Sequence, residues 1–371
     1  MNEIELKEIL SGILPLYDHA VRAAVLRQQE LAKPPESLGK LEDISIRLAG
    51  ITGRVQNKIE RTRIIVFAAD NGIVNEGVAS TPQSVTLLQS INMTRHITGM
   101  SAIAACFGTE VEVIDVGIAS EGVPPVILNR KIRLGTRNFA LEPAMTRDEV
   151  LSAIAVGIEA AKAAKMAGVD AVGIGEMGIG NTTTSAAVLA ALTGEAVERV
   201  TGRGSGLTDA AFELKKKVIS DALLLHSPNA DDPTDVLCKV GGLDIAAMTG
   251  AYIGCAYYRI PVVIDGLISV TAALTASRLS KDTKAFMFPS HASMETGCRI
   301  AEKELGIEPW LRLNMRLGEG SGCPLSFQIM RAACAAMNGM ATFSEAAIND
   351  EYLEGIRDSS AFMSLTEREG Q

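Results

Sequence analysis

Residues 169–185 read VDAVGIGEMGIGNTTTS. An apolar run beginning at Val169 passes into a glycine-rich turn that holds one acid, Glu176, and then into Asn181, Thr182 and Thr183 at the head of an alanine- and leucine-rich stretch. Strand, turn and helix in that order make half of a parallel β-α-β unit. Four further runs of the same kind flank it: RIIVFAAD (63–70), VEVIDVG (111–117), VVIDGL (262–267) and KAFMFPSH (284–291). Helical patterns separate them. The best marked opens on a Thr146-x-x-Glu149 capping box, continues through an alanine-rich stretch to Lys165 and has Gly168 to stop it. This alternation predicts an α/β fold, a Rossmann-like parallel sheet with helices on both faces. Each run ends in small and polar residues: AADNG, DVG, GEMGIGNTTT, DGLIS and PSHAS. Ligands of open parallel sheets sit beyond the carboxyl ends of the strands, so the five endings predict one shared crevice.

The chain ends differ. Both carry helical patterns without strands, and Pro34 and Pro35 in KPPESLGKLE (33–42) break the first of them. The expectation is a small helical subdomain made of residues 1–30 and 330–371 beside a large α/β domain, 31–329.

Composition narrows the class. The 371 residues are 47% hydrophobic but only 4% aromatic, with 34 glycines, which suits closely packed helices on a sheet in a soluble protein. A net charge of −9 supplies no basic face for nucleic acid, although a local basic pocket for phosphate stays open. The six cysteines are scattered with no C-x-x-C pair, so neither a zinc cage nor a disulfide framework is signalled, and no His/Cys/Asp cluster has metal spacing. The acidic N-terminus MNEIELKEIL does not read as a signal peptide, and no apolar run reaches membrane length. The expectation is a cytoplasmic protein with no membrane, nucleic-acid or metal partner.

Two turns carry the candidate chemistry. Gly173-x-Gly175-x-x-Gly178 formally matches a dinucleotide fingerprint, but Glu176 lies where a pyrophosphate would sit, and Glu195 follows a helix-like stretch and not a second strand. What remains is a turn that either binds one phosphate through amides, hydroxyls and the positive helix end, or uses Asn181 and the threonines only as helix caps. Lysines 215–217, after the second glycine cluster TGRGSGL (201–207), either complete such a site or form a solvated helix face. The other turn is RLGEGSG (316–322), which sets Glu319 among glycines. Taken alone it reads first as a tight surface turn with Glu319 in water; the second reading is a carboxylate presented to a ligand.

With GEMGIGNTT, RLGEGSG, KPPESLG, DVLCKVGG, IDGLIS and PSHAS in order and in register, the chain resembles the nicotinate-nucleotide:dimethylbenzimidazole phosphoribosyltransferase family over about residues 30–345. The resemblance implies transfer of the phosphoribosyl group of nicotinate mononucleotide, a substrate and not a cofactor, to an aromatic base in cobamide synthesis. No cofactor is implied. It implies Glu319 as catalytic base and Glu176 beside the reacting centre. Gly178, Gly180, Asn181, Thr182, Thr183, Gly204 and Lys215 fall to the phosphate, Asp265 and Ser293 to the ribose region, and Ser269 to the crevice floor. Thr81, Gln89, Met177 and Leu317 fall to the base pocket. Relatives often carry ADHG where this chain has Ala69-Asp70-Asn71-Gly72, KPPGSLG where Glu36 stands, Ser at the position of Thr81 and Leu at that of Met177. Those departures leave the acceptor open among benzimidazoles, adenine and phenols. A homodimer is implied, with a heterodimer beside a paralogue, or a non-catalytic paralogous subunit, as the alternative.

Overall fold

The computed structural model describes residues 1–353. Six strands form one sheet: β1 Thr62–Ala69, β2 Glu110–Gly117, β3 Leu128–Asn129, β4 Ala171–Met177, β5 Val262–Ile264 and β6 Met287–Phe288. Their order is β3-β2-β1-β4-β5-β6 and every neighbouring pair is parallel. The chain winds outward from β1 in one direction, returns to β4 and winds outward in the other, so the topological switch point lies between β1 and β4. Register pairs Phe67 with Glu176 and Ala68 with Met177, which brings AADNG and GEMG together at that point. All seven residues of β4 are buried, as are all those of β1 except Arg63, so both faces of the central strands are covered.

Fourteen α-helices lie among the described residues. They are α1 Glu3–Ser11, α2 Asp18–Glu30, α3 Lys40–Thr52, α4 Val85–Thr94, α5 Gly99–Cys106, α6 Arg147–Met166, α7 Asn181–Thr193, α8 Val197–Val200, α9 Asp209–His226, α10 Pro233–Val240, α11 Leu243–Tyr257, α12 Leu267–Leu279, α13 Cys298–Leu305 and α14 Cys323–Gly339. The capping box at Thr146 and Glu149 opens α6 as expected, and Gly168 follows its end with φ +71°. Close packing of α6 on α11 explains the alanine and glycine content: a Cβ on Gly157 would lie 1.9 Å from Ala247 O, and one on Gly250 2.0 Å from Ile154 O.

The outer strands are shorter than their sequence runs. Residues Lys281–Phe286 form a 3-10 turn, which leaves β6 two residues before Pro289, a residue with no N–H for the ladder. β5 stops at Ile264, and Leu267 already opens α12. β3 has only two residues and no period to announce it.

The chain divides into two units with boundaries that differ from those expected. One holds Met1–Leu14 and Arg61–Ser326; the other holds Pro15–Glu60 and the chain from Phe327. Helix α1 stays with the larger unit because Gly12 packs against the Tyr257 ring and Glu3 pairs with Arg147. In the smaller unit α3 joins α2 instead, around a core of Ala20, Ala24, Ala49 and Met337, with a buried Lys33–Glu42 ion pair at 2.8 Å. The part of the expected subdomain at 354–371 lies outside the described residues. Among the described residues, no helix is long and apolar enough to cross a membrane.

Candidate active site

The carboxyl end of β4, the start of α7, the segment from Val78 into α4 and the Glu319 loop surround a cavity of about 320 Å³ in the larger unit. Glycine builds the turn between β4 and α7. Gly180 has φ +94° and is the N-cap of α7 with no side-chain cap, and a Cβ on Gly178 would lie 2.3 Å from Ala69 O. Asn181 does not cap the helix. Its Nδ2 donates sideways to Glu176 Oε2 and, at 3.2 Å, to Asp244 Oδ2. Among the described residues the N–H groups of Gly180 and Thr182 have no acceptor, so the positive end of α7 is presented to the cavity. Lys215 is wholly buried behind this turn, donating to Thr182 Oγ1 at 2.9 Å and Gly202 O at 3.1 Å. Burial pushes its ammonium down to about 8, with the Glu295 carboxylate opposing the shift.

On the other wall Glu319 is 6% exposed and holds a left-handed backbone, φ +64°. A non-glycine residue held there costs about 1 kcal/mol or more, and such strain survives only under firm anchoring. The anchors are visible. Glu319 N–H donates to Glu176 Oε1 at 3.0 Å, and the Gly320 and Gly322 N–H groups donate to Asp265 at 3.0 and 2.7 Å. Gln89 Nε2 donates to Glu319 Oε1 at 3.0 Å, which aims the carboxylate. The loop needs glycine in β4 as well, since a Cβ on Gly175 would lie 2.3 Å from Glu319 O.

Glu176 is the electrostatic centre. Burial raises it to about 8, with the Asp244 and Asp265 charges adding and the Glu319 N–H and Asn181 amide opposing. Burial likewise raises Asp244 to about 7. Two carboxyls bridged by one amide cannot both ionise freely in a dry site, so the pair retains a proton at neutral pH.

The cavity is lined by Thr81, Gln89, Glu176, Met177, Gly178, Gly180, Asn181, Thr182, Gly204, Ser293, Leu317 and Glu319, all singled out from the sequence. Four other candidates, Thr183, Lys215, Asp265 and Ser269, do not line it. Thr183 is buried within α7, Lys215 stands behind Thr182, and Asp265, expected beside the ribose, is turned under the Glu319 loop. Ser269 is occupied with Tyr252 Oη, Asp265 N–H and Ile174 O. Sequence reading missed Asp244, whose signal was the Gly241-Gly242 pair just before a helix start, and the lining charges Arg203, Glu295 and Arg316, which carry none. Among the described residues no group of three or more His, Cys, Asp or Glu side chains is placed to hold a metal ion.

A Rossmann-ordered sheet thus brings a helix end fit for an anion and the carboxyls of Glu176 and Glu319 to one cavity at its switch point, and comparison with known proteins gives the class. The family model described as phosphoribosyltransferase matches residues 13–348. The nicotinate-nucleotide–dimethylbenzimidazole phosphoribosyltransferase of Clostridium perfringens is 52% identical over 360 residues, 97% of this chain and 100% of its own length. That of Clostridium tetani is 43% identical over 354 residues, 95% of this chain and 98% of its own. The crystal structure of the Thermus thermophilus enzyme of the same name superposes with a TM-score of 0.84 at 37% identity, covering 90% of this chain and 99% of that one. The chain belongs to the nicotinate-nucleotide:dimethylbenzimidazole phosphoribosyltransferase family and is an enzyme of the pentosyl-transfer class.

Proposed function

We propose that the protein moves the phosphoribosyl group of nicotinate mononucleotide to an aromatic nitrogen base, 5,6-dimethylbenzimidazole or a close relative, releasing nicotinate in cobamide lower-ligand synthesis. The observation that carries this reading is one cavity with the head of α7 on one wall and the Glu319 carboxylate on the other. The phosphate sits on the turn Gly178 to Thr182, taking the N–H groups of Gly180 and Thr182 and the Thr182 hydroxyl, with Gly204 beside it and the Lys215 charge behind Thr182. Thr81, Gln89, Met177 and Leu317 border the base. Its unprotonated ring nitrogen forms a bond to the ribose anomeric carbon as the bond to the nicotinate nitrogen breaks, with that electron pair leaving on nicotinate. The attack comes from the opposite face, so the product is the α-ribotide. The azole N–H proton passes to Glu319.

Glu176 serves the same step electrostatically. It is largely protonated in the free protein, and the cationic pyridinium of the substrate favours its ionised form, which then faces the positive charge that develops on the ribose. Ser293 borders the ribose end of the cavity. The departing group is already a cationic pyridinium, so the step draws on no metal or cofactor. The protein works in the cytoplasm as a homodimer in this reading, and sedimentation at twice 39.2 kDa is the check on assembly.

The test is to incubate the purified chain with nicotinate mononucleotide and dimethylbenzimidazole. Nicotinate and an α-linked ribotide form in equal amounts, and omission of the base suppresses both. Absence of nicotinate release with dimethylbenzimidazole, adenine and a phenol alike overturns the reading.

A further inference from the structure

The Glu319 loop is fastened from beneath by a residue that does not line the cavity. Asp265 follows β5, is 4% exposed, and commits both carboxylate oxygens to that loop: Oδ2 accepts the Gly320 N–H at 3.0 Å and Oδ1 accepts the Gly322 N–H at 2.7 Å. With Glu176 accepting the Glu319 N–H, three amides of one turn end on two buried carboxyls. Asp265 is itself locked. Its N–H donates to Ser269 Oγ at 3.1 Å, and that hydroxyl donates to Ile174 O of β4 at 3.1 Å and meets Tyr252 Oη at 2.6 Å. His291 Nδ1 stands 3.7 Å from Asp265 Oδ1 and 3.1 Å from Ser290 Oγ.

The loop has reason to need such a clamp. Gly318, Glu319 and Gly320 have consecutive φ values of +81°, +64° and +90°, an arrangement that an unheld turn with a glutamate at its centre leaves readily. We propose that Asp265 is a positioning residue for phosphoribosyl transfer: it fixes the backbone of Glu319 so that the carboxylate meets the departing proton, and it does so without touching the substrate. This rests on the transfer reaction proposed above. A group that acts only by orienting a catalytic base changes turnover and leaves substrate capture alone.

Asp265→Asn keeps the side-chain shape but replaces one acceptor oxygen with an amide that cannot accept. The expected result is a fall in kcat on the order of 10- to 100-fold with KM for nicotinate mononucleotide within about threefold of the wild type. In a Glu319→Gln background the same change adds less than about threefold, because the group being positioned is already disabled. A raised KM at unchanged kcat, or an equal loss in both backgrounds, overturns the proposal. A wild-type chain that releases no nicotinate removes the underlying reaction instead, a result separate from either. Should Asp265→Asn not fold, amide hydrogen exchange on the wild type decides: Gly320 and Gly322 exchange as slowly as the residues of β5, and exchange as fast as exposed loop amides overturns the clamp.

Discussion

Glu319 and Lys215 are buried charges held for opposite purposes. Glu319 is aimed into the cavity by Gln89, and its backbone is anchored by carboxyls. Lys215 never reaches the cavity surface, and in the proposed reaction it works through Thr182 and through its field. Lys215→Met fills the same space but removes that field and leaves Gly202 O without its donor. The expected outcome is a KM for nicotinate mononucleotide raised on the order of 10- to 100-fold, the weight of a charge-assisted hydrogen bond, with a smaller change in kcat. Steady-state kinetics at saturating base checks it; a fall in kcat at constant KM contradicts it. At this scale the glycine turns marked where Glu176 and Glu319 sit, and both line the cavity, but the turns alone left Glu319 open between solvent and ligand and only the family resemblance chose between them. The sequence was mute where a role depends on which buried groups meet. Asp265 reads from its strand ending as a crevice residue, yet its oxygens face the loop, and Asp244 gains meaning only through an amide 63 positions away in sequence.

The elements that set the site are β4 with α7, and the α6–α11 pair behind them. The central strands were legible because both of their faces are buried and their apolar runs are continuous. The edge was legible only in part: β6 falls inside the run KAFMFPSH but is shortened to two residues by the 3-10 turn before it, and two-residue β3 leaves no period to read. The division of the terminal helices likewise depends on docking partners, Tyr257 and Arg147 for α1, that local pattern does not encode. Backbone contact between α6 and α11 makes its own prediction. In Gly250→Ala the new methyl carbon meets Ile154 O at 2.0 Å and nothing flexible can yield. The substitution lowers unfolding free energy by about 2–3 kcal/mol, read from the shift in denaturant midpoint, while the folded fraction keeps its KM. A midpoint equal to that of the wild type contradicts the packing described.

For the whole molecule, the site has a consequence for stability. Burial raises Glu176 from 4.5 to about 8 and Asp244 from 3.8 to about 7, so between about pH 5 and pH 8 the folded chain binds more protons than the unfolded one, and these groups make stability fall as pH rises. Lys215, lowered from 10.5 to about 8, has the opposite sign: above about pH 8 the unfolded chain holds the extra proton, and stability contributed by this group rises with pH. Urea midpoints from about pH 5 to 8 therefore decline, and Glu176→Gln flattens the decline. A flat profile in the wild type contradicts the buried proton. The molecule thus gives up some stability at neutral pH to keep acids dry at its switch point, a familiar exchange at sites where charge develops during a reaction.

The central claim is that Glu319 takes the proton of the incoming base while the head of α7 holds the nucleotide. Glu319→Gln, followed in parallel by calorimetric titration with nicotinate mononucleotide and by nicotinate release in the presence of dimethylbenzimidazole, separates the two roles most directly. Affinity stays within about threefold of the wild type while turnover falls on the order of 10² to 10⁴. Full turnover in the variant, or loss of nucleotide affinity in step with turnover, contradicts the account.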